Sequence, residues 1–181
     1  MKKELLLLIT CCFLFSCSSL SPEQYFGKVA LNSNLLYGFA GSGMQRELAS
    51  PSVKLVDEKT LATAPMKRAE VLQTKLDAIE NSYKEIKDLE SNEEVKEMLD
   101  ASKTLYEYVL PVYRNEYKEL AALYDSNAGA DKIAALEKSI SDKYEAKFLE
   151  LYSALGKAGK AYAAKHGIKV MDVNPSPQLN H

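Results

Sequence analysis

The chain has 181 residues, with 23 basic and 25 acidic side chains and a formal net charge of −2 at pH 7. This near balance of charge gives no support for a nucleic-acid-binding protein, which usually carries a strongly basic surface. The length is sufficient for one domain with a hydrophobic core, and the composition includes eleven tyrosines, no tryptophan and three cysteines.

The first 16 residues have the pattern of a signal peptide. Lys2 and Lys3 precede an apolar run over residues 5–15, which is too short for the roughly 20 residues that cross a bilayer core. A basic start and a short apolar segment are typical of secretory signals. The alternative is a buried N-terminal helix, which would normally carry polar positions at helical spacing. We therefore expect residues 1–16 to be removed.

The sequence Leu14-Phe15-Ser16-Cys17 resembles a lipobox, the cleavage motif of bacterial lipoproteins. The resemblance implies cleavage before Cys17, a thioether-linked diacylglycerol on its sulfur and usually an acyl chain on its new amino group. Phe15 stands where a small residue is usual, as in the looser lipoboxes of spirochaetes and some other diderm bacteria. Cleavage nearby by the ordinary signal peptidase, which would give a soluble product, is the alternative.

The same resemblance predicts a location in the cell envelope, with the protein anchored to the membrane through the lipid on Cys17. Ser18 stands where an aspartate commonly signals inner-membrane retention, which favours the outer membrane, at its periplasmic face or at the cell surface. Residues 17–21 would form a lipidated tether, and its four residues after Cys17 reach about 13 Å at most. We therefore expect the folded domain, residues 22–173, to lie close to the membrane.

A first helix is predicted over residues 22–48. Ser21 is a suitable N-cap, Pro22 suits the first helical position, and Gln24 completes a capping box. Its predicted buried residues are Tyr25, Val29, Leu36, Phe39 and Leu48.

Three glycines within six residues, Gly38, Gly41 and Gly43, weaken this helix by roughly 1 kcal/mol each. The spacing invites comparison with a phosphate-binding loop, but no strand precedes it and no Gly-Lys-Ser/Thr follows it. Close helix packing or a local break in the helix is the favoured interpretation.

Residues 49–63 should lie across the helices, because the apolar side chains of Val53, Leu55 and Val56 need cover. A second helix from Pro65 has an apolar seam with spacings of three and four residues, while Lys75 and Lys84 should stay in water. The seam residues are Leu72, Leu76, Ile79, Tyr83 and Ile86.

A third helix should begin at a capping box over residues 91–94, kink at Pro111 and continue to Tyr124. Its seam consists of Val95, Leu99, Ser102, Tyr106, Val109, Tyr113, Tyr117, Leu120 and Tyr124.

A fourth helix is predicted over residues 131–166, ended by Gly167 in the left-handed conformation. Its predicted buried residues are Ile133, Leu136, Ile140, Tyr144, Phe148, Leu151, Leu155 and Tyr162. The tail, residues 174–181, should be disordered.

These elements predict an all-α fold, an antiparallel up-down-up-down four-helix bundle. The third and fourth helices would be about 50 Å long, so their hairpin could project beyond the first two helices.

No pattern predicts an enzyme, a metal site or a cofactor. A haem would need a second ligand beside His166, and Met44 is the candidate, but the bundle puts these two residues at opposite ends. Di-iron bundles use Glu-x-x-His pairs, and serine hydrolases use Gly-x-Ser-x-Gly; neither occurs in this sequence.

Tyrosines recur along the third and fourth helices. The favoured explanation is an aromatic core with hydroxyls at its rim. The alternative is a groove between these helices that binds a small apolar ligand or a partner protein. The candidate groove residues are Tyr106, Tyr113, Tyr117, Tyr124, Tyr144 and Tyr152.

The end of the fourth helix is basic, with Lys157, Lys160, Lys165 and Lys169. Lysines there complement the helix dipole, and the acidic turn at residues 88–97 could neutralise them. Because the tether should lie at the same end, contact with anionic lipid headgroups is a second candidate role for these lysines.

The sequence therefore predicts a lipid-anchored helical bundle with a non-enzymatic binding or structural role in the envelope. A carrier of a small apolar ligand in the tyrosine-lined groove is the alternative. A cavity among the tyrosines would favour the carrier, whereas a packed core with an exposed apolar patch would favour an unknown protein partner.

Overall fold

The computed structural model describes residues 20–170. The predicted signal peptide, Cys17 and the predicted tail at 174–181 lie outside the described residues. The fold is mainly helical and contains one two-stranded antiparallel sheet, so the all-α prediction missed one element. The elements are α1 (Pro22–Val29), a 3-10 helix (Leu31–Leu36), α2 (Ser42–Ala49), β1 (Val53–Asp57), β2 (Ala62–Pro65), α3 (Arg68–Lys87), α4 (Lys96–Arg114), α5 (Glu116–Asp125) and α6 (Ala130–Lys165).

The first predicted helix is divided into three pieces, α1, the 3-10 helix and α2. The predicted capping box at Ser21 is present. Gly38 has a φ of +78°, and a Cβ there would lie 2.8 Å from the Cα of Gly43. This close approach requires glycine at both positions, so the predicted local break is confirmed. All five residues of the predicted apolar face are buried.

Residues 53–65 form a β-hairpin, so the prediction that this segment is covered was wrong. Val53, Leu55 and Val56 are 63%, 51% and 57% exposed. The two strands pair their facing backbone groups, and the carboxylate of Asp57 accepts hydrogen bonds from the amides of two turn residues. The exposed outer backbone groups of both strands can bond to water, so the hairpin needs no covering helix to satisfy them.

The second predicted helix, α3, begins at Arg68. The carboxylate of Asp125 accepts hydrogen bonds from the amides of Arg68 and Ala69, at 2.7 and 3.0 Å. The start of α3 is therefore level with the end of α5. Its predicted seam is buried, with Tyr83 half-buried.

Lys75 was predicted to stay in water, and this was wrong. Its ammonium lies 2.5 Å from the carboxylate of Glu47, and its side chain is only 19% exposed. The reason is that α2 packs against α3, an arrangement that follows from the break at Gly38. Lys84 is exposed as predicted.

The third predicted helix is formed by α4 and α5, separated at Asn115. Pro111 lies inside α4. The helix was predicted to kink at this proline, but it is interrupted four residues later, at Asn115. The predicted capping box over residues 91–94 is not formed, because α4 begins at Lys96 without a side-chain cap. The Asn92 side-chain oxygen accepts instead from the amides of Glu94 and Val95 in the turn before the helix. The predicted seam is buried except for Tyr124, which is half-buried.

The fourth predicted helix, α6, is continuous over 36 residues, about 54 Å. Gly167 ends it with a φ of +66°, and the amide of Ile168 donates to the carbonyl of Ala163 at 2.9 Å, as in a Schellman motif. This end is confirmed. Half of its predicted face is only half-buried, namely Ile133, Leu136, Tyr144 and Leu151.

The fold has two ends with different chemistry. At the Leu20 end, α1 meets the α3–α4 turn, where the Tyr25 hydroxyl donates to the Glu90 carbonyl at 3.2 Å, and α6 terminates beside Glu94. At the hairpin end lie β1, β2, the start of α3 and the start of α6. α3 joins the two ends, and its 20 residues span about 30 Å.

Candidate functional site

Three of the predicted groove tyrosines lie in the core. Tyr106, Tyr113 and Tyr117 are at most 1% exposed. Phe39, from the segment before α2, packs between α4, α5 and α6, with its ring 5.5 Å from that of Tyr113 and 4.9 Å from that of Phe148. The N-terminal segment therefore fills the space among these aromatic rings.

The hydroxyls of this aromatic cluster differ in their partners. The Tyr117 hydroxyl accepts a hydrogen bond from the buried amide of Ala40 at 2.9 Å, whereas the Tyr113 hydroxyl has no partner. Burial raises the pKa of Tyr113 well above its usual value. Burial also raises the pKa of Tyr106 to about 12, and the nearby Ser82 hydroxyl opposes that shift.

The other three candidate tyrosines lie near the surface and bind polar groups. The Tyr124 hydroxyl donates to Glu137 at 2.8 Å, and the Tyr144 hydroxyl donates to Glu116. The Tyr152 hydroxyl lies 3.2 Å from the side-chain oxygen of Asn34. The six tyrosines are thus distributed through the core and its rim and do not line one groove.

Three surface cavities were considered as binding sites. One of about 340 Å³ lies between α3 and α4, where its walls carry ion-paired side chains such as Glu80 and Arg114. A second, of about 150 Å³, lies between α1 and α6 and includes Tyr152 and Lys160. The other five candidate tyrosines line none of these three cavities, and the ligand groove stays a prediction.

The third and largest cavity, of about 430 Å³, lies at the Leu20 end, and we call it the Leu20-end cavity. Its walls come from α1, the α3–α4 turn and the end of α6. The lining residues are Leu20, Pro22, Tyr25, Asp88, Leu89, Glu90, Asn92, Glu94, Val95, Tyr162 and His166.

One wall of this cavity is apolar and aromatic, and a polar wall of similar extent faces it. Tyr25, Val95 and Tyr162 are at most 9% exposed, and the two tyrosine rings lie 6.2 Å apart. The ring of His166 packs on that of Tyr162 at 4.3 Å. Burial raises the pKa of Tyr25 to about 12 and also raises that of Tyr162, so both tyrosine rings are neutral at physiological pH.

The rim of the cavity is charged. Lys165 lies 2.7 Å from the carboxylate of Glu94, and this ion pair, together with His166, lowers the pKa of Glu94. The His166 Nε2 atom is 3.1 Å from the same carboxylate but is not aligned for a hydrogen bond, and solvent does not reach it. Lys157 and Lys169 are exposed on the same part of the protein.

Sequence reasoning missed this cavity because its walls come from three distant segments. The expectation that the acidic turn meets the basic helix end is the one signal that pointed to it. Glu94 does pair with Lys165, one of the four predicted lysines.

The hairpin end carries an exposed apolar surface, the hairpin patch, formed by Val53, Leu55, Val56 and Leu61. Leu61 is 71% exposed and has a φ of +56°, a conformation that is uncommon for a bulky side chain. Both faces of the hairpin are largely exposed, although an isolated two-stranded hairpin is only marginally stable in water. In many proteins, exposed apolar surface marks a site of interaction.

Two further observations apply to residues 20–170. Within that range no His, Cys, Asp and Glu side chains are grouped in threes or more as a metal site would require. No helix in the range has the length and apolar character needed to cross a membrane.

Comparisons with known protein families, with curated proteins and with solved structures gave no match to this chain.

Proposed function

We propose that this protein is a lipid-anchored component of the bacterial cell envelope with a non-enzymatic binding or structural role. In this proposal the helices form an antiparallel up-down-up-down bundle, in which residues 22–48 supply the first helix in three pieces. The hairpin patch, at the end farthest from Leu20, is the surface for a protein partner. The exposure of its four large apolar side chains is the observation that carries the proposal.

The orientation of the two ends supports this role. An acylated Cys17 would hold the Leu20 end at the membrane, because only residues 18 and 19 stand between Cys17 and Leu20. The hairpin patch would then stand on the far side of α3, a helix about 30 Å long, away from the lipid headgroups. Lys157 and Lys169, exposed near the Leu20 end, would face anionic headgroups, to which each basic residue contributes about 1 kcal/mol.

Metabolic labelling with palmitate tests the anchor. Cys17→Ala should abolish labelling, leaving a precursor or a soluble product, and Cys11→Ala and Cys12→Ala should each leave labelling intact. Fractionation of inner and outer membranes would then locate the labelled protein. Label that survives in the Cys17 variant would contradict acylation at this residue.

Site-specific photo-crosslinking tests the partner surface. A photoreactive amino acid at Leu61 in the full chain should give discrete protein adducts in intact cells. The same probe at Leu149, which is 53% exposed on α6, is the matched control and should give none. The double change Leu55→Ser and Val56→Ser should remove the adducts, and equal adducts from both probe positions would contradict the proposal.

The alternative function, a carrier of a small apolar ligand between the third and fourth helices, has less support. Tyr106, Tyr113 and Tyr117 are packed against Phe39 and against one another. A ligand between these rings would have to displace Phe39 or open the helices.

A further inference from the structure

We infer that the Leu20-end cavity binds an acyl chain carried by Cys17, so that part of the lipid anchor folds back onto the protein. This inference rests on the proposed acylation and adds a binding site for its product. It concerns the cavity of about 430 Å³ between α1, the α3–α4 turn and the end of α6, whose aromatic wall would hold the chain.

Proximity is the first argument. Leu20 lines the cavity and packs against the core, and only residues 18 and 19 stand between it and Cys17. Three residue steps span about 11 Å at most, even in an extended chain. An acyl group on Cys17 therefore begins within about 11 Å of the cavity wall, whatever path the chain takes.

The second argument is the match between the cavity and a hydrocarbon chain. The volume falls within the roughly 300–1,000 Å³ of typical ligand pockets. Tyr25, Val95 and Tyr162 supply an apolar wall, and Leu89 and Leu20 extend it toward the surface. Hydrocarbon in this space would remove apolar protein surface from water, which is the main driving force for binding an uncharged chain.

The third argument comes from the rim. The amide of an N-acylated cysteine is polar but uncharged, so it needs hydrogen-bonding groups and no counter-charge. Glu94 and Lys165 already neutralise each other, and the buried Nε2 atom of His166 lacks a hydrogen-bond partner. The His166 Nε2 atom is closed to an incoming group, but the exposed side-chain amide of Asn92 lines the cavity and can hydrogen-bond to an acyl amide while the aromatic wall takes the chain.

A photoreactive palmitate analogue incorporated by growing cells tests the inference in the intact, full-length lipoprotein. After illumination, mass spectrometry of the labelled protein identifies what the acyl chain touches. We expect cross-links within the same chain to peptides containing Tyr25, Val95 or Tyr162. Cross-links only to phospholipid would overturn the inference, while incorporation of label at Cys17 would leave the anchor itself established.

A cavity-filling variant and a matched control sharpen the test. Leu89→Trp should reduce the internal cross-links roughly tenfold, because the indole occupies space that the chain would use. Leu136→Trp changes another half-buried leucine, near the start of α6, and should leave the number of internal cross-links unchanged. Equal cross-linking in the two variants would contradict the site, and circular dichroism checks that both remain folded.

The source of the chain is tested separately. If the Cys17→Ala protein, given the same analogue, cross-links at the same residues, the cavity takes acyl chains from the bilayer and the assignment to Cys17 is wrong. If no label enters the wild-type protein, the proposed acylation fails, and this inference fails with it.

Discussion

Residues 68–165 and residues 22–65 both contribute to the fold, but different features of the sequence determine their structures. In the first region, apolar side chains repeat every three or four residues, and the helices follow that repeat. In the second, eight apolar side chains also reach the core, yet the backbone changes direction at Ala30, between Gly38 and Gly43, and again at the hairpin. Its path depends on particular backbone conformations.

This difference matters because the two regions tolerate different changes. A seam of periodic side chains should be sensitive to lost volume and insensitive to changes on its exposed face. A path set by backbone contacts should be sensitive to the addition of a single methyl group. The contacts between the regions, Tyr117 with Ala40 and Lys75 with Glu47, should give smaller effects.

The largest effect is expected from Ile79→Ala in α3. Ile79 is fully buried, and truncating a buried isoleucine typically costs 2–5 kcal/mol through lost transfer energy and the cavity left behind. Urea denaturation of the purified chain, followed by circular dichroism, should show a clearly lower midpoint. Lys84→Ala, an exposed position on the same helix, should stay within about 0.5 kcal/mol, and equal midpoints would mean that this seam does not face the core.

The second prediction concerns the backbone of the N-terminal region. Gly38→Ala should cost about 2–4 kcal/mol, because Gly38 has a positive φ and its new Cβ would lie 2.8 Å from the Gly43 Cα. Gly27→Ala is the matched control, since nothing lies within 4 Å of a Cβ there and alanine favours helix by up to about 1 kcal/mol. The same urea titration measures both, and destabilisation by Gly27→Ala alone would contradict the account of this region.

Sequence reasoning predicted five of the second region's buried residues, but it predicted neither the path of the backbone nor the exposure of the hairpin. The repeat of apolar residues identified Val29, Leu36 and Phe39 correctly, because burial follows composition and spacing. The path depends on a contact between two glycines and on a tyrosine hydroxyl 77 residues away along the chain. Such contacts leave no pattern in a single sequence.

The hairpin and the Leu20-end cavity were missed for a related reason. The alternation of apolar residues over 53–56 is consistent with a strand, but apolar strands are usually covered, so exposure was not expected. The cavity exists because the end of α6 and the α3–α4 turn meet beside Leu20. The predicted bundle topology already placed the end of α6 and the α3–α4 turn at the same end of the fold. The open space between these two segments depends on side-chain packing, which the sequence pattern does not predict.

The third prediction tests the bond between the two regions. Tyr117→Phe should cost about 1–3 kcal/mol, because it leaves the buried Ala40 amide without an acceptor. Tyr113→Phe removes a hydroxyl that has no partner and should be neutral or stabilising. Thermal unfolding of the two variants separates these cases. Equal losses would mean that the hydroxyls contribute through packing and that the Ala40 hydrogen bond has no special role.

The smallest effect is expected at the ion pair between α2 and α3. A double-mutant cycle with Lys75→Ala and Glu47→Ala should give a coupling of about 0.5–1 kcal/mol, at the upper end of values for partly exposed pairs, because the Lys75 side chain is only 19% exposed. The same cycle at Lys138 and Asp142, whose side chains are 71% and 63% exposed, provides the control within one helix.

The coupling between Lys138 and Asp142 should be smaller and should vanish in about 1 M salt, where charges beyond about 3 Å are screened. The coupling at Lys75 should partly persist in the same salt, since its surroundings exclude some of the solvent. If the two pairs lost their coupling to the same extent, α2 would not shield Lys75, and the packing of the N-terminal region on α3 would be looser than the structure indicates.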